Sequence, residues 1–400
     1  MSALPALALL AGLALLAGCW SDAIGPADGP LRFTTVAAGD QHTCAISTAV
    51  ETWCWGREAQ ARLGFASDAP PCVGDACVEP VRSFGGQGLE ALSAGTSHNC
   101  AVADRVAYCW GWGRWGQIGN AGQAYDHCDP IGGGLPQPCS VEPAPVALGF
   151  PVVQVTAAAD QGCAVVAGGS AYCWGQNHLG QLGNGGTSPT SVPIAVTGGL
   201  AFEAISAGFS HTCGLTDDGA AWCWGSNDAG RLGDGGTADS RVPVPVIGDM
   251  RWRQIDAGDT HTCGIAEDGL AYCWGEARGG RLGNGADTAA VGPVLVRLSV
   301  GPVWHISAGD SHSCAIAGAA HEVHCWGYGF AGQLGNNRGS NRAFPDRAQV
   351  DGPFVEVSAG KVHTCAVHED GRLFCWGSNE HGQLGIGTLV NQPVPTPVAH

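Results

Sequence analysis

The residues of this chain with the greatest capacity for chemistry are 19 cysteines and 14 histidines, most of them at a recurring spacing. Seven times a cysteine is followed, nine to eleven residues later, by a Cys-Trp-Gly triplet. Thiols in such a pattern either form disulfides or bind a metal ion. Because the chain contains no Cys-x-x-Cys pair, the spacing favours disulfides over zinc.

One pair shows the geometry that this spacing imposes. Cys213 and Cys223 flank Asp217-Asp218-Gly219, a turn in which glycine supplies the positive φ that closes a hairpin. Counting outward, Leu215 faces Ala221 and the two cysteines face each other, about 4.5 Å apart between Cα atoms, which a disulfide tolerates. A disulfide is therefore predicted across each of seven hairpins. The predicted pairs are Cys44 with Cys54, Cys100 with Cys109, Cys163 with Cys173, Cys213 with Cys223, Cys263 with Cys273, Cys314 with Cys325, and Cys365 with Cys375.

The cysteines outside the hairpins indicate export. Four of them form two local couples, Cys72 with Cys77 and Cys128 with Cys139. The last one, Cys19, follows an apolar run that ends in Leu-Ala-Gly, which resembles the lipobox of bacterial lipoproteins. We therefore predict a signal peptide at 1–18, lipidation of Cys19 and a flexible tether at 19–30. This places the protein outside the cytoplasm, lipid-anchored in a bacterial cell envelope at the outer membrane or cell surface, where disulfides persist.

The hairpins recur about every 50 residues, with Trp-Gly after the second cysteine and several short apolar strands in each period. Such a period is typical of a propeller or a solenoid, in which each unit buries its faces against its neighbours. Both faces of each hairpin are apolar, as a blade between two other blades requires. We predict an all-β fold at 31–400, a seven-bladed β-propeller of four-stranded antiparallel blades.

The two ends of the repeat array predict how the ring closes. We take an apolar segment such as Val242–Val246 as the first strand of each unit. The first unit, which starts at Phe33, then lacks this strand, while Pro393–Val398 has no hairpin after it. One end supplies what the other lacks. The missing strand at one end and the extra strand at the other predict that the ring closes by pairing of the N- and C-terminal strands, with Pro393–Val398 completing the first blade.

The repeated motif resembles a known family. Residues 359–365 read AGKVHTC and residues 375–385 read CWGSNEHGQLG, similar to the regulator of chromosome condensation repeat, with about 31–400 covered. The resemblance implies a seven-bladed propeller. The founding member is an exchange factor for the Ran GTPase, and a secreted bacterial relative inhibits β-lactamases by protein contact. The paired cysteines depart from the eukaryotic pattern, so the resemblance implies the fold but not exchange activity.

Histidine precedes the first cysteine in six of the seven units, and glycine, Gly162, stands beside the cysteine in the third. These histidines are His42, His98, His211, His261, His312 and His363. A ring of imidazoles can hold a metal or line a channel. Because a catalytic site needs one asymmetric constellation, six equivalent copies favour a structural role, with each ring hydrogen-bonded to nearby backbone.

Several classes of function are excluded by what the sequence lacks. There is no GxSxG elbow, HExxH motif or phosphate-binding glycine loop with its lysine, so we predict no enzyme, no catalytic residue, no cofactor and no metal. The net charge of −17, with Lys361 as the only lysine, argues against nucleic acid or an anionic membrane surface as a partner.

Two insertions break the repeat and are the candidate partner-binding sites. They span Phe65–Arg82 and Gln123–Val141, at the same point of adjacent units, and each holds a local cysteine couple. Phe65, Tyr125 and His127 are the side chains there that could anchor a partner. The alternative is that the insertions are tolerated and have no function. Arg338, Arg342 and Arg347 form a smaller basic loop that we interpret as solvated charge.

The sequence thus favours a monomeric binding scaffold whose partner is an unidentified envelope or extracellular protein. Membrane contact is expected only through the lipid anchor. Two alternatives stay open: an inhibitor of an enzyme that acts by protein contact, and a hydrolase or lyase acting on cell-wall or polysaccharide material.

Overall fold

The computed structural model describes residues 30–65, 72–83, 88–122, 126–128 and 136–399. In these residues it contains seven antiparallel sheets arranged as the blades of a β-propeller, which confirms the predicted all-β fold of four-stranded blades, with one extra strand added to two of them. The predicted signal peptide, Cys19 and all of the tether except Pro30 lie outside the described residues. Within the described residues, the helical turns are two short 3₁₀ segments, and no helix is long and apolar enough to cross a membrane.

The first two blades have five strands each. Blade 1 consists of β1 (Phe33–Ala38), β2 (His42–Ser47), β3 (Thr52–Arg57), β4 (Cys72–Val73) and β5 (Ala76–Ser83). Blade 2 consists of β6 (Ala91–Ala94), β7 (His98–Ala103), β8 (Val106–Trp112), β9 (Asp126–Cys128) and β10 (Gln137–Pro145). The short strands β4 and β9 are the extra ones and lie on the outer edges of their sheets.

The other five blades have four strands each, in chain order from the channel outward. Blade 3 consists of β11 (Val152–Ala158), β12 (Gln161–Val166), β13 (Ala171–Gly175) and β14 (Thr190–Ala195). Blade 4 consists of β15 (Phe202–Ala207), β16 (His211–Thr216), β17 (Ala221–Gly225) and β18 (Ser240–Pro245), with a 3₁₀ turn at Asp228–Gly230. Blade 5 consists of β19 (Trp252–Ala257), β20 (His261–Ala266), β21 (Ala271–Gly275) and β22 (Ala290–Leu295), with a 3₁₀ turn at Arg278–Gly280. Blade 6 consists of β23 (Val303–Ala308), β24 (His312–Ala317), β25 (Glu322–Gly327) and β26 (Arg342–Arg347). Blade 7 consists of β27 (Phe354–Ala359), β28 (His363–His368), β29 (Leu373–Gly377) and β30 (Gln392–Pro397).

The hairpin register is the one that the sequence predicts. In blade 4, Leu215 pairs with Ala221 and Cys213 with Cys223, and Gly219 in the turn has φ +78°. The Cα atoms of each hairpin cysteine pair are 4.1 Å apart, and the sulfurs are bonded in all seven hairpins. Each blade therefore carries a fully buried disulfide between its two central strands.

The predicted closure of the ring was wrong. Strand β30 pairs with β29 of its own blade, and blade 1 has its own outer strand in β5. The apolar Pro-Val segments are the last, outermost strands of their blades rather than the first. Proline has no N–H to donate, so a strand such as Gln392–Pro397 with three prolines is suited to a sheet edge with one neighbour. All seven blades are consequently built from consecutive residues.

The core lies between blades. A tryptophan from each Cys-Trp-Gly triplet is completely buried against the preceding blade, as Trp224 is against the cluster that contains the Cys163–Cys173 disulfide. The cluster between blades 7 and 1 has the same composition, with Trp55 and Phe33 packed against Val398 and the Cys365–Cys375 disulfide. Apolar packing thus joins the last blade to the first.

Candidate functional site

The innermost strands are held together by side chains rather than by a shared ladder. Gln154 of blade 3 accepts a hydrogen bond from the Ile205 N–H of blade 4 and donates one to the Ile205 carbonyl. Gln254 makes the same pair of contacts with Ile306 of blade 6. At the closing junction Glu356 takes this role, accepting bonds from the Thr35 hydroxyl at 2.8 Å and the Val36 N–H at 3.2 Å. These contacts satisfy backbone groups that would otherwise be unpaired at the channel.

The repeated histidines form a second belt, farther from the channel. His211 Nε2 lies 2.8 Å from Thr262 Oγ1 of the next blade, and that hydroxyl donates to the Arg231 carbonyl. A hydroxyl has a single proton, so the imidazole must be the donor, which fixes the Nε2–H tautomer. The same chain of bonds links His261 to Ser313, His312 to Thr364 and His363 to Thr43. The partners are side chains of the next blade and not the backbone that the sequence analysis predicted.

Burial controls the protonation of this belt. Removal from water lowers the pKa of His42, His211, His312 and His363 to about 3, and that of His98 to about 4. These imidazoles are therefore neutral at physiological pH. In the described residues, no group of three or more His, Cys, Asp or Glu side chains is arranged to hold a metal ion.

The propeller has two different faces. The connections between the first and second strands of each blade, and between the third and fourth, lie on what we call the loop face. The hairpin turns and the links between blades lie on the opposite side, the turn face. The chain enters on the turn face, where the Phe33 N–H donates to the Gly371 carbonyl in a hairpin turn of blade 7.

A channel of about 410 Å³ runs along the innermost strands. Its loop-face mouth is surrounded by one residue from each blade, which we call the mouth ring: Asp40, Thr96, Ala159, Phe209, Asp259, Asp310 and Lys361. Glycine precedes six of these positions, because a Cβ there would lie 2.2–2.9 Å from a carbonyl oxygen of the next blade. The close approach of the glycines brings the mouth-ring side chains together.

The mouth ring has an excess of negative charge. Lys361 Nζ lies 3.2 Å from Asp40 Oδ2. Burial and the nearby carboxylates of Asp310 and Asp40 raise the pKa of Asp259 to about 7, and burial raises that of Asp310. Within the described residues, no hydrogen bond or ion pair reaches the carboxylate of Asp259 or Asp310, although Arg231 and Arg281 donate to the backbone carbonyls of these residues. These two carboxyl groups are not ion-paired directly, but Lys361, Arg231 and Arg281 lower their pKa values from a longer distance.

Exposed aromatic and apolar side chains accompany these carboxyls. Phe209 in the mouth ring is 49% exposed. Farther out on the loop face, Phe330 is 63% exposed and its ring lies 5.1 Å from that of Tyr328. Trp115 of blade 2 packs edge-on against His178 of blade 3, at 5.2 Å between ring centroids. The loop face thus combines acidic and aromatic groups around one opening.

The insertions also arise on the loop face. They extend the connection from β3 to β5 in blade 1 and the connection from β8 to β10 in blade 2. Each contains its predicted local disulfide, with Cys72 bonded to Cys77 and Cys128 bonded to Cys139. In both cases one sulfur belongs to the extra outer strand and the other to the strand that it pairs with. The disulfides therefore fasten β4 and β9 to the edges of their blades.

The three predicted anchors are placed differently. Phe65 is half-buried and packs against the core between blades 1 and 2, so much of its ring is already used within the fold. His127 lies in β9 on the edge of blade 2. Tyr125 lies outside the described residues. The mouth ring, which the sequence analysis did not single out, could have been found as the position that follows the repeated Ala-Gly.

The basic segment of blade 6 is internally neutralised, and Arg342 and Arg347 lie in β26 rather than in the predicted loop. Arg338 and Arg342 both lie near the Asp346 carboxylate, and Arg347 contacts Glu322 and Asp351. These arginines do not form a free cationic surface.

The fold and its repeated contacts define a propeller built from repeats of one family. Residues 22–315 match the family described as the RCC1-like domain, and 321–367 and 370–400 match the regulator of chromosome condensation (RCC1) repeat. The chain belongs to the RCC1-like domain family.

Similar proteins cover most of the chain. The ultraviolet-B receptor UVR8 of Arabidopsis thaliana is 29% identical over 380 residues, 92% of this chain and 81% of that protein. The crystal structure of human WBSCR16 has a TM-score of 0.75 at 21% identity, covering 88% of this chain and 95% of that one. Prp20p from Saccharomyces cerevisiae, described with its binding to Gsp1p and histones, has a TM-score of 0.74 at 19% identity, covering 92% and 88%. These two structures show the shared fold.

Proposed function

We propose that this protein is a lipid-anchored binding scaffold of a bacterial cell envelope, held by Cys19 and exposed outside the cytoplasm. The observation that supports this proposal is the set of nine disulfides, one buried in every blade and one in each insertion. Disulfides in this number are typical of proteins that fold in an oxidising compartment. The lipobox-like residues before Cys19 supply the anchor.

A scaffold is the function that the geometry favours over catalysis. The belt of histidines is buried, and five of its six rings are engaged in hydrogen bonds to side chains of the next blade, so it offers little to a substrate. One relative that matches over most of the chain is described as a receptor. Rigid blades with exposed loops on one face are suited to hold a protein partner, since little order is lost on binding.

The proposal is tested by expressing the full chain and its Cys19→Ser variant in a Gram-negative host. The unaltered chain is expected in the detergent phase after Triton X-114 partition, with a mass increase for diacylglycerol and an acyl chain on the mature Cys19. The Cys19→Ser protein is expected unprocessed or in the aqueous phase. Equal partition of the two proteins without a lipid mass would overturn the anchor. In a pull-down from envelope extract, retention of glycan in place of a protein partner would favour the alternative of a carbohydrate-active enzyme.

A further inference from the structure

We propose that the mouth ring is the contact site for a basic segment of the partner protein, with one Lys or Arg side chain inserted beside Asp259 and Asp310. This inference rests on the proposed scaffold function and adds the face and the chemistry of the contact. It concerns the loop face, which lies opposite the side where the described chain begins at Pro30.

The charge of the site indicates the sign of the partner. The lysine of the ring pairs with Asp40, and the Asp310 charge raises the pKa of Asp259 by more than Lys361 lowers it. A cationic side chain placed between them would remove this repulsion and would be shielded from water by the surrounding loops. In such a setting a charged hydrogen bond is stronger than on an open surface.

The apolar groups indicate that the partner is a protein segment rather than a simple cation. Phe209 belongs to the same ring as the two carboxyls and exposes half of its surface. Phe330 and Tyr328 form an exposed aromatic pair on the adjoining part of the loop face. The aliphatic stem of a Lys or Arg and its apolar neighbours can pack on these rings while the charged end reaches the carboxyls. An inorganic cation would leave the aromatic surface uncovered.

The turn-face mouth carries charges of both signs. The second residues of the innermost strands that are exposed there include Glu203 and Arg253 and the apolar Val153, Trp304 and Val355. The guanidinium of Arg253 lies over the Trp304 ring, 6.0 Å from its centroid, and bonds to the Val303 carbonyl. A basic segment would meet this fixed cation, so the loop face is the better fit.

The test uses the full lipidated chain in its host envelope, with a photo-crosslinking phenylalanine analogue at one of two positions. One probe replaces Thr96, a neutral member of the mouth ring, and the other replaces Val355 at the turn-face mouth. After irradiation, crosslinked peptides are identified by mass spectrometry. The expected result is a crosslink from position 96 to a partner segment with Lys or Arg within a few residues of the attachment point.

Charge variants make the test specific. Asp259→Asn with Asp310→Asn is expected to lower the crosslink yield at position 96 about tenfold while the thermal stability is kept. The control, Asp249→Asn with Glu267→Gln, removes the same charge from exposed turn-face positions and is expected to leave the yield unchanged.

Each other outcome contradicts a different statement. A crosslink from position 355 alone, or one from position 96 to a segment without basic residues, would overturn the mouth-ring proposal and leave the scaffold function intact. An equal loss of crosslink yield in the two double variants would show that the net charge of the protein, and not the Asp259 and Asp310 carboxyls, controls the contact. That result would also overturn the mouth-ring proposal. No crosslink from either position would count against the scaffold function itself.

Discussion

His363 Nε2 lies 2.8 Å from Thr43 Oγ1, across the junction where the last blade of the ring meets the first. The Thr43 hydroxyl in turn donates to the Gln383 carbonyl of blade 7 at 2.8 Å, and Trp55 Nε1 donates to the same oxygen at 2.9 Å. The equivalent atoms of Thr212 and Trp224 meet the Gln181 carbonyl between blades 3 and 4. Ring closure therefore repeats the contacts of an ordinary junction.

Replacing His363 tests the importance of this contact. His363→Ala should lower the free energy of unfolding by about 2–4 kcal/mol, because it removes a buried hydrogen bond and leaves a cavity. His363→Gln should cost much less, since Gln161 already takes the histidine position in blade 3 and donates to Thr212 Oγ1 at 3.0 Å. Denaturant unfolding of both variants measures the difference. Equal losses in the two would show that the hydrogen bond does not matter at the junction.

The belt of buried histidines predicts a loss of stability in mild acid. The pKa of these rings is lowered to about 3 or 4 in the fold, against 6.5 when exposed. Their contribution is complete above pH 6.5 and is lost as the pH falls towards 3, by up to about 1.4 kcal/mol per histidine per pH unit. Carboxyls with raised pKa act in the opposite direction, but in the described residues the nine histidines whose pKa is lowered outnumber the six carboxyls whose pKa is raised. These carboxyls are Glu58, Asp160, Asp256, Asp259, Asp310 and Glu356. The melting temperature should therefore fall between pH 7 and pH 5, and a constant value would contradict the prediction.

Glu356 predicts an effect of opposite sign. Burial raises its pKa to about 7 from 4.5, so its stabilising contribution is complete below pH 4.5 and is lost as the pH rises through 7. Glu356→Gln should raise the stability at pH 8 by about 2–3 kcal/mol and change little at pH 4.5. Gln254 shows that an amide fits this position, because its side chain accepts a hydrogen bond from the Ile306 N–H and donates one to the Ile306 carbonyl. The reciprocal change, Gln254→Glu, should destabilise the protein at pH 8, and thermal unfolding at the two pH values measures both.

The repeat made much of the fold predictable, because local rules decide the hairpin. A turn with glycine at positive φ sets the register, and the register places Cys213 opposite Cys223. The closure was predicted wrongly because the boundary of a repeat in sequence need not be the boundary of a blade. The prolines of Gln392–Pro397 were the available signal, since they favour an outer edge over a place beside another blade's strands.

The contacts between blades could not be predicted in the same way. His211 and Thr262 are 51 residues apart, and only the rotation between adjacent blades brings them to 2.8 Å. The mouth ring likewise depends on the approach of seven loops, which no single repeat reveals. Phe65 illustrates the converse, because an aromatic residue in an insertion suggests an exposed anchor but the structure packs it against the core.

The insertions provide the last prediction, because they distinguish blades 1 and 2 from the rest. Removing β4 and β9 while keeping β5 and β10 should leave a folded propeller, since both extra strands lie on outer edges with one neighbour each. If the insertions bind the partner, its recovery from envelope extract should be lost with the doubly shortened protein. His127→Ala tests whether this single residue of β9 contributes to partner recovery. Phe65→Ala should mainly lower the melting temperature, because that ring is half-buried. Undiminished recovery would show that the two insertions are dispensable for binding and that the partner is held elsewhere on the propeller.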